Sequence, residues 1–218
     1  MTAGRASRSR GTPPEPSSAT RDLLLDVAER MFAQRGINGV SMREIGLAAN
    51  QRNNGATQYH FGDKAGLIRA IFERRAATVN ERRLQLLREQ SAAGCDTIRS
   101  LIEAYVTPLA EQVAQGTWYV PFLARLQAEH RRDELLERAD DPVNTGYLMV
   151  RKRLRTQHLG DLPASRFAIR WRIALNLAID ALADHQTSTN ARRSTLQLFT
   201  EELVDGITAL LSQPSGNA

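Results

Sequence analysis

A short polar stretch around residue 55 carries side chains that suit the reading of DNA bases. Asn and Gln amides pair with N6 and N7 of adenine, Arg pairs with O6 and N7 of guanine, and Thr contacts the thymine methyl group. We predict that bases are read by Arg52, Asn53, Asn54, Thr57 and Gln58. One of the two asparagines has an alternative role as the N-cap of a helix that begins here.

The residues on either side of this stretch predict the helices that position it. Ser41 and Glu44 have the spacing of a capping box, in which the hydroxyl accepts from the third amide of the helix and the carboxylate accepts from the amide of the cap residue. A short helix therefore begins after Ser41, and the helix-breaking run Asn50–Gly55 ends it before a second short, polar helix. Two short helices joined by a tight turn indicate a helix-turn-helix at about 42–61, with the second helix facing outward.

Longer helices are predicted on both sides of this motif. The preceding helix has an apolar stripe with helical spacing, formed by Leu24, Val27, Ala28, Met31 and Phe32. It ends at Gly36, where Ile37 has the position of the apolar residue in a Schellman cap. A long helix starts from a plausible N-cap at Asp63 and runs to about Gln90, a span of roughly 40 Å. This helix is long enough to join the motif to the rest of the chain.

Residues 20–75 resemble the DNA-binding domain of the TetR family of bacterial transcriptional regulators. The resemblance rests on RDLLLDVAERMFAQRGINGVSMREIGLAA at 21–49 and on QYHFGDKAGLI at 58–68. It implies a three-helix DNA-binding domain, a small-molecule inducer site in the remaining helices, and dimerisation through the last two helices as a four-helix bundle. It also implies phosphate contacts at the Tyr and Lys of the second segment.

Contacts to the DNA backbone are predicted on both sides of the base-reading stretch. A lysine at the first position of a helix adds its charge to the positive end of the helix dipole, which favours a bound phosphate. We predict phosphate contacts from Ser41, Arg43, Tyr59, His60 and Lys64.

Charge and composition agree with DNA binding inside the cell. The chain carries a net charge of +5, and residues 1–75 hold 12 Lys+Arg against 7 Asp+Glu, whereas 76–218 hold 17 of each. Residues 1–19 are rich in Pro, Ser and Arg and predict a disordered tail, either a solvated extension or a basic arm that enters a minor groove. A lone cysteine, Cys95, and the lack of an apolar run predict a cytoplasmic protein without disulfides or a membrane span.

Residues 76–218 predict an effector-binding and dimerisation domain in an all-α chain of about nine helices. Apolar stripes in the last two helices suit either an intramolecular core or a dimer seam. The resemblance favours the seam, and we assign a homodimer interface to Trp171, Leu175, Ala178, Leu182, Leu196, Phe199, Leu203 and Leu210.

Aromatic residues are concentrated in the middle of the chain and predict an apolar pocket for a small, largely apolar effector. Its predicted lining is Tyr105, Trp118, Tyr119, Phe122, Leu126, Tyr147 and Met149, with polar groups from Arg125, Gln127 and His130. Ordinary packing of a helical domain is the alternative for each of these residues.

Enzymatic chemistry has no support in the sequence. The four histidines have no partner at metal-ligand spacing, and no nucleophile motif or phosphate loop is present, so we expect no catalytic residue, no metal and no cofactor. The sequence therefore predicts a ligand-responsive repressor that binds a pseudo-palindromic operator in double-stranded DNA as a homodimer and is released by an effector. The alternative is a ligand-sensing adaptor that acts by protein contacts and does not bind DNA.

Overall fold

The computed structural model describes residues 18–50, 56–129, 142–188 and 195–214. These residues form nine α-helices and no strand, as predicted: α1 Ser18–Arg35, α2 Met42–Ala48, α3 Ala56–Phe61, α4 Lys64–Ala92, α5 Ile98–Ala114, α6 Tyr119–Ala128, α7 Thr145–Arg153, α8 Ala164–Thr187 and α9 Leu196–Ser212. A 3-10 turn, Pro142–Asn144, precedes α7, and a π turn, Leu154–His158, follows it. In the described ranges, no helix has the combination of length and apolar character that crossing a bilayer requires.

The start of α2 has the predicted capping box. Ser41 Oγ accepts a hydrogen bond from the Glu44 amide at 3.2 Å, and Glu44 Oε2 accepts from the Ser41 amide at 2.8 Å. The other carboxylate oxygen of Glu44 accepts from Arg35 Nη2 at 2.7 Å, which ties the end of α1 to the start of α2. The hydrogen bond from Arg35, followed by those from Ser41, lowers the pKa of Glu44 from 4.5 to about 2.

The predicted long helix is α4. Asp63 is its N-cap and accepts from the Gly66 amide at 2.7 Å, and the helix continues for 29 residues. At about 1.5 Å per residue, α4 is roughly 44 Å long. It packs on α1 and α3 and also on α5 and α7, so one helix belongs to both parts of the molecule. The first helix begins at Ser18, so the last two residues of the predicted tail are helical, while residues 1–17 lie outside the described residues.

The assignment of the α8 and α9 stripes to a dimer seam is wrong for most of its residues. Five of them are at most 8% exposed within a single chain: Trp171, Leu175, Ala178, Leu182 and Leu203. The other three are partly buried and pack against the same core: Leu196, Phe199 and Leu210. The reason is that α8 packs on α5 and α6, and α9 packs on α5 and α8, so these stripes face inward. The intramolecular alternative was correct here.

Candidate nucleic-acid interface and effector cavity

Helix α3 packs closely on α2 through a contact between two small residues. Thr57 is 1% exposed, and its Oγ1 has no hydrogen-bond partner among the described residues. A Cβ placed on Gly46 would lie 3.2 Å from Thr57 Oγ1, so glycine allows the two helices to approach. The prediction that Thr57 reads bases is therefore wrong, because its side chain is enclosed between α2 and α3.

The opposite side of this helix pair is open. Gln58 is exposed, and Tyr59 is 69% exposed on α3. Arg43 and Leu47 are exposed on α2, and Leu47 is 57% exposed although it is a large apolar residue in a short helix. We call these four residues the outer face. The other predicted base-reading residues, Arg52, Asn53 and Asn54, lie outside the described residues.

Two of the predicted phosphate ligands already have local roles. The Ser41 hydroxyl donates to Glu44 Oε2 at 2.7 Å. Lys64 Nζ donates to the Ile37 carbonyl at 2.8 Å, so its ammonium group holds the segment that follows α1. An ammonium has three donors, and this contact leaves two of them for a phosphate.

His60 differs from the exposed residues beside it. Its Nε2 is buried and has no hydrogen-bond partner among the described residues. Burial, with a smaller contribution from the nearby Arg21, lowers the pKa of His60 from 6.5. The neutral form of the imidazole is therefore favoured, and its buried Nε2 is not available to a phosphate.

Comparison with known proteins identifies the domain that carries this surface. The family model for bacterial regulatory proteins of the TetR family matches residues 24–71. Residues 24–71 therefore form a DNA-binding domain of the TetR type. The chain is also 37% identical over 71 residues to the HTH-type transcriptional regulator AcrR of Shigella flexneri, and the match covers 33% of each protein. The matched family is one of regulatory proteins.

A buried carboxylate joins the TetR-type DNA-binding domain to the helices that follow. Glu29 on α1 is 1% exposed. Its Oε2 accepts from Arg75 Nε on α4 at 2.7 Å, and its Oε1 accepts from the Trp118 amide at the start of α6 at 3.0 Å. Asp26 adds a contact to Arg74 at 2.6 Å. One carboxylate thus fixes α1 to both α4 and α6.

The C-terminal end of α6 is tied to α1 as well. Glu129 Oε1 accepts from the Ile37 amide at 2.8 Å, and Arg125 Nε donates to the Ala33 carbonyl at 3.1 Å. The predicted Schellman cap is therefore only partly formed. Gly36, at φ +78°, donates to the Phe32 carbonyl, but the Ile37 amide goes to Glu129 instead of the helix. We call the contacts of Glu29 and Glu129 with their partners the α1–α6 joint.

A small, partly enclosed cavity of about 40 Å³ lies between α4, α5, α6, α7 and α8. Three of the seven predicted pocket residues line it, namely Tyr105, Tyr119 and Tyr147, and the sequence missed Arg83. Burial raises the pKa of Tyr119, so its phenol is neutral at physiological pH.

The other four predicted pocket residues do not line this cavity. Trp118 is at the α1–α6 joint, and Phe122 stacks on Phe32 of α1 with ring centroids 6.3 Å apart. Leu126 is part of the core, and Met149 borders a depression on the surface of α7. Of the predicted polar groups, Arg125 and Gln127 bond to Ala33 and Asp180, while His130 lies outside the described residues.

A larger groove of about 540 Å³ opens to solvent between α4, α5 and α9. It contains none of the predicted aromatic residues, and the partly exposed Arg99 and Glu103 on its wall are paired with each other. The smaller cavity is the more enclosed of the two, is lined by three tyrosines and contains a buried charged group. Convergent polar groups in an apolar recess are features of a small-molecule site, and its volume is well below the roughly 300–1,000 Å³ of most ligand pockets. We therefore take the smaller cavity as the candidate effector site.

Proposed function

We propose that this chain is a transcriptional repressor that binds a pseudo-palindromic operator as a homodimer and is released when a small molecule enters the interior cavity. The observation that carries this proposal is the position of α6. Tyr119 and Leu123 of α6 line the cavity, while both ends of the same helix are bonded to α1 of the DNA-binding domain.

DNA binding by this protein rests on the TetR-type domain and on its outer face. An outward second helix of a helix-turn-helix enters the major groove, where Gln58 can pair with adenine and Leu47 can contact a thymine methyl group. Arg43 and Tyr59, which are exposed on the same helix pair, suit the flanking phosphates. The excess of positive charge in residues 1–75 adds attraction to DNA that does not depend on sequence.

Dimerisation is assigned to a different face of the last two helices from the one predicted. Ile169, Ile173 and Leu177 follow a spacing of four along α8 and are 51%, 46% and 41% exposed. Leu198 on the adjacent α9 is 51% exposed. Large apolar side chains at this exposure favour a partner surface, and a second copy related by a two-fold axis also matches a palindromic site.

Release of DNA follows from the connection between the cavity and the α1–α6 joint. A ligand larger than 40 Å³ must displace the cavity walls, which include Tyr119 and Leu123 on α6. Glu29 joins α1 to the start of α6, and Arg125 and Glu129 join the end of α6 to α1 and to the segment that follows it, so a movement of α6 carries α1 with it. In a dimer this changes the distance between the two α3 helices, and the half-sites are no longer matched.

The test is DNA binding by the full chain at physiological salt. Fragments that flank its own gene are mixed with the wild type and with a double variant, Gln58→Ala and Tyr59→Ala, whose changes lie on an exposed surface. We expect the wild type to retard at least one fragment in the presence of excess non-specific DNA, and the double variant to lose this preference. Gln197→Ala, an exposed glutamine on α9, is the matched control and should behave as the wild type.

Selection from random DNA completes the test. A motif with two inverted halves supports the homodimer, and a single half contradicts it. If no DNA is preferred over non-specific DNA by the wild type, the repressor proposal fails and the adaptor alternative replaces it.

A further inference from the structure

Arg83 carries a buried positive charge. It is 5% exposed on α4, and among the described residues no carboxylate lies within salt-bridge distance of it. Its Nη2 donates to the Tyr105 carbonyl at 3.2 Å, and its guanidinium carbon is 5.0 Å from the centre of the Tyr105 ring. The Nε is fully buried and has no hydrogen-bond partner in the described part of the chain.

Such an arrangement is unfavourable unless something else neutralises it. A guanidinium offers five N–H donors and stays protonated at neutral pH, even though burial lowers the pKa of Arg83. Buried charges in proteins are normally paired, because removing an ion from water is costly when no counter-charge compensates for it. The buried positive charge and the unbonded Nε–H of Arg83 therefore indicate a binding site for an anion.

The aliphatic stem of Arg83 is closely packed against α7. A Cβ on Gly146 would lie 3.2 Å from Arg83 Cδ and 2.8 Å from Asn80 Oδ1, so glycine lets α7 pack directly on the arginine stem. Asn80 holds this contact, accepting from the Gly146 amide at 2.6 Å and donating to the Pro142 carbonyl at 3.1 Å. The guanidinium is thus held in advance at the wall of the cavity.

The rest of the cavity indicates the size and the chemistry of the ligand. Apart from the buried amide of Asn144, its other walls are apolar or phenolic. A volume of 40 Å³ corresponds to about three water-sized spheres, at roughly 10–15 Å³ each. Tyr147 Oη accepts from Trp171 Nε1 at 3.1 Å, which leaves the hydroxyl proton of Tyr147 for an acceptor. The space fits one carboxylate group beside one guanidinium fork. A phosphate dianion would require more positive charge than this single arginine supplies.

We propose that the effector is a monocarboxylate with an apolar body, and that its carboxylate pairs with Arg83 in the interior cavity. That the bound carboxylate acts as an effector rests on the proposed function. That it binds at Arg83 rests only on the geometry of the cavity. Only the carboxylate fits the cavity as it is, so the apolar body has to displace the aromatic walls. Those walls include Tyr119 of α6, which leads to the α1–α6 joint.

The experiment measures binding by isothermal titration calorimetry with the full chain. The ligands are acetate, butyrate, hexanoate and benzoate, each compared with its neutral amide. We expect at least one of the longer carboxylates to bind about 10- to 100-fold more tightly than its amide, the range of a charge-assisted hydrogen bond. In Arg83→Gln this ratio should fall to about one, and Arg83→Lys should keep part of it. Arg88→Gln, an exposed arginine on the same helix, is the matched control and should keep the full ratio.

Several outcomes would overturn the inference. These are the absence of any preference for carboxylate over amide in the wild type, and an unchanged preference in Arg83→Gln, which would place the anion elsewhere. Circular dichroism checks that each variant folds. If Arg83→Gln does not fold, Arg83→Lys and the comparison of carboxylate with amide in the wild type decide the question.

DNA binding, measured in parallel, separates the two proposals. Specific DNA binding without any carboxylate preference refutes the anion site and leaves the repressor proposal intact. Carboxylate binding through Arg83 without specific DNA binding does the reverse.

Discussion

Replacing Ile173 and Leu177 by glutamate tests the corrected dimer surface. The two side chains are 46% and 41% exposed in one chain. Full burial of an Ile or Leu side chain is worth about 1.5–3 kcal/mol, so covering their exposed parts contributes about 1.3–2.6 kcal/mol per protomer. Each residue occurs twice in a two-fold symmetric dimer, so the free energy from this burial is about 3–5 kcal/mol per dimer. The dissociation constant of the dimer should rise at least about a hundredfold, and four carboxylates near one axis raise it further.

Light scattering over a range of protein concentrations measures this shift, and circular dichroism shows that the variant remains folded. Leu23→Glu is a matched control, because Leu23 is 45% exposed but lies on α1, far along the chain from α8 and α9. It should leave the dimer intact. Leu175→Glu is the contrasting case, because Leu175 is 4% exposed and a charge there should unfold the protomer. A folded double variant that dimerises as tightly as the wild type would refute the assignment of this surface.

Three further predictions concern the DNA-binding domain. Gln58→Ala should cost about 1–3 kcal/mol of binding free energy on the preferred operator and relax the base specificity at one position in each half-site. Thr57→Val should leave the selected motif unchanged because Thr57 is buried, and selection from random DNA checks both variants. Lys64→Ala should lower the free energy of unfolding by about 1.5–3 kcal/mol through the lost bond to Ile37, and should also lower the salt slope of DNA binding by about one if a phosphate contact is lost. The pKa of Glu44 is lowered on folding, so its contribution to stability is complete above about pH 4.5 and is lost as the pH falls towards 2. Thermal unfolding of Glu44→Gln, measured over this pH range, should lack this part of the acid dependence. An acid profile identical to that of the wild type would contradict the role of the Arg35–Glu44 contact.

The elements set by neighbouring residues could be predicted from the sequence. The capping box of Ser41 and Glu44 and the N-cap at Asp63 depend on side chains three residues from the amides they bind, so their spacing identifies them. The helix-turn-helix and the long α4 follow from such signals together with the apolar stripes. For the same reason the fold class was correct although the faces of the helices were not.

Residues whose role depends on distant packing could not be assigned in this way. On α8 the stripe that contains Leu175 and the stripe that contains Ile173 both have helical spacing, and only the arrangement of α5, α6 and α9 decides which one is buried. Arg83 is one of several arginines on α4 and differs from Arg88 only in what packs over it. Thr57 has the chemistry of a base contact, but Gly46 on the neighbouring helix encloses it.

The two tryptophans of the chain are at opposite ends of the path from the cavity to the DNA-binding domain. The Trp171 indole is bonded to Tyr147 at the cavity, whereas the Trp118 amide is bonded to Glu29 at the α1–α6 joint. Filling of the cavity and movement of the joint should therefore change the emission of different residues. With each tryptophan in turn replaced by phenylalanine, rapid mixing would time the two events separately in unlabelled protein. The order of those events distinguishes a ligand that selects chains whose joint has already opened from a ligand that binds first and then opens it.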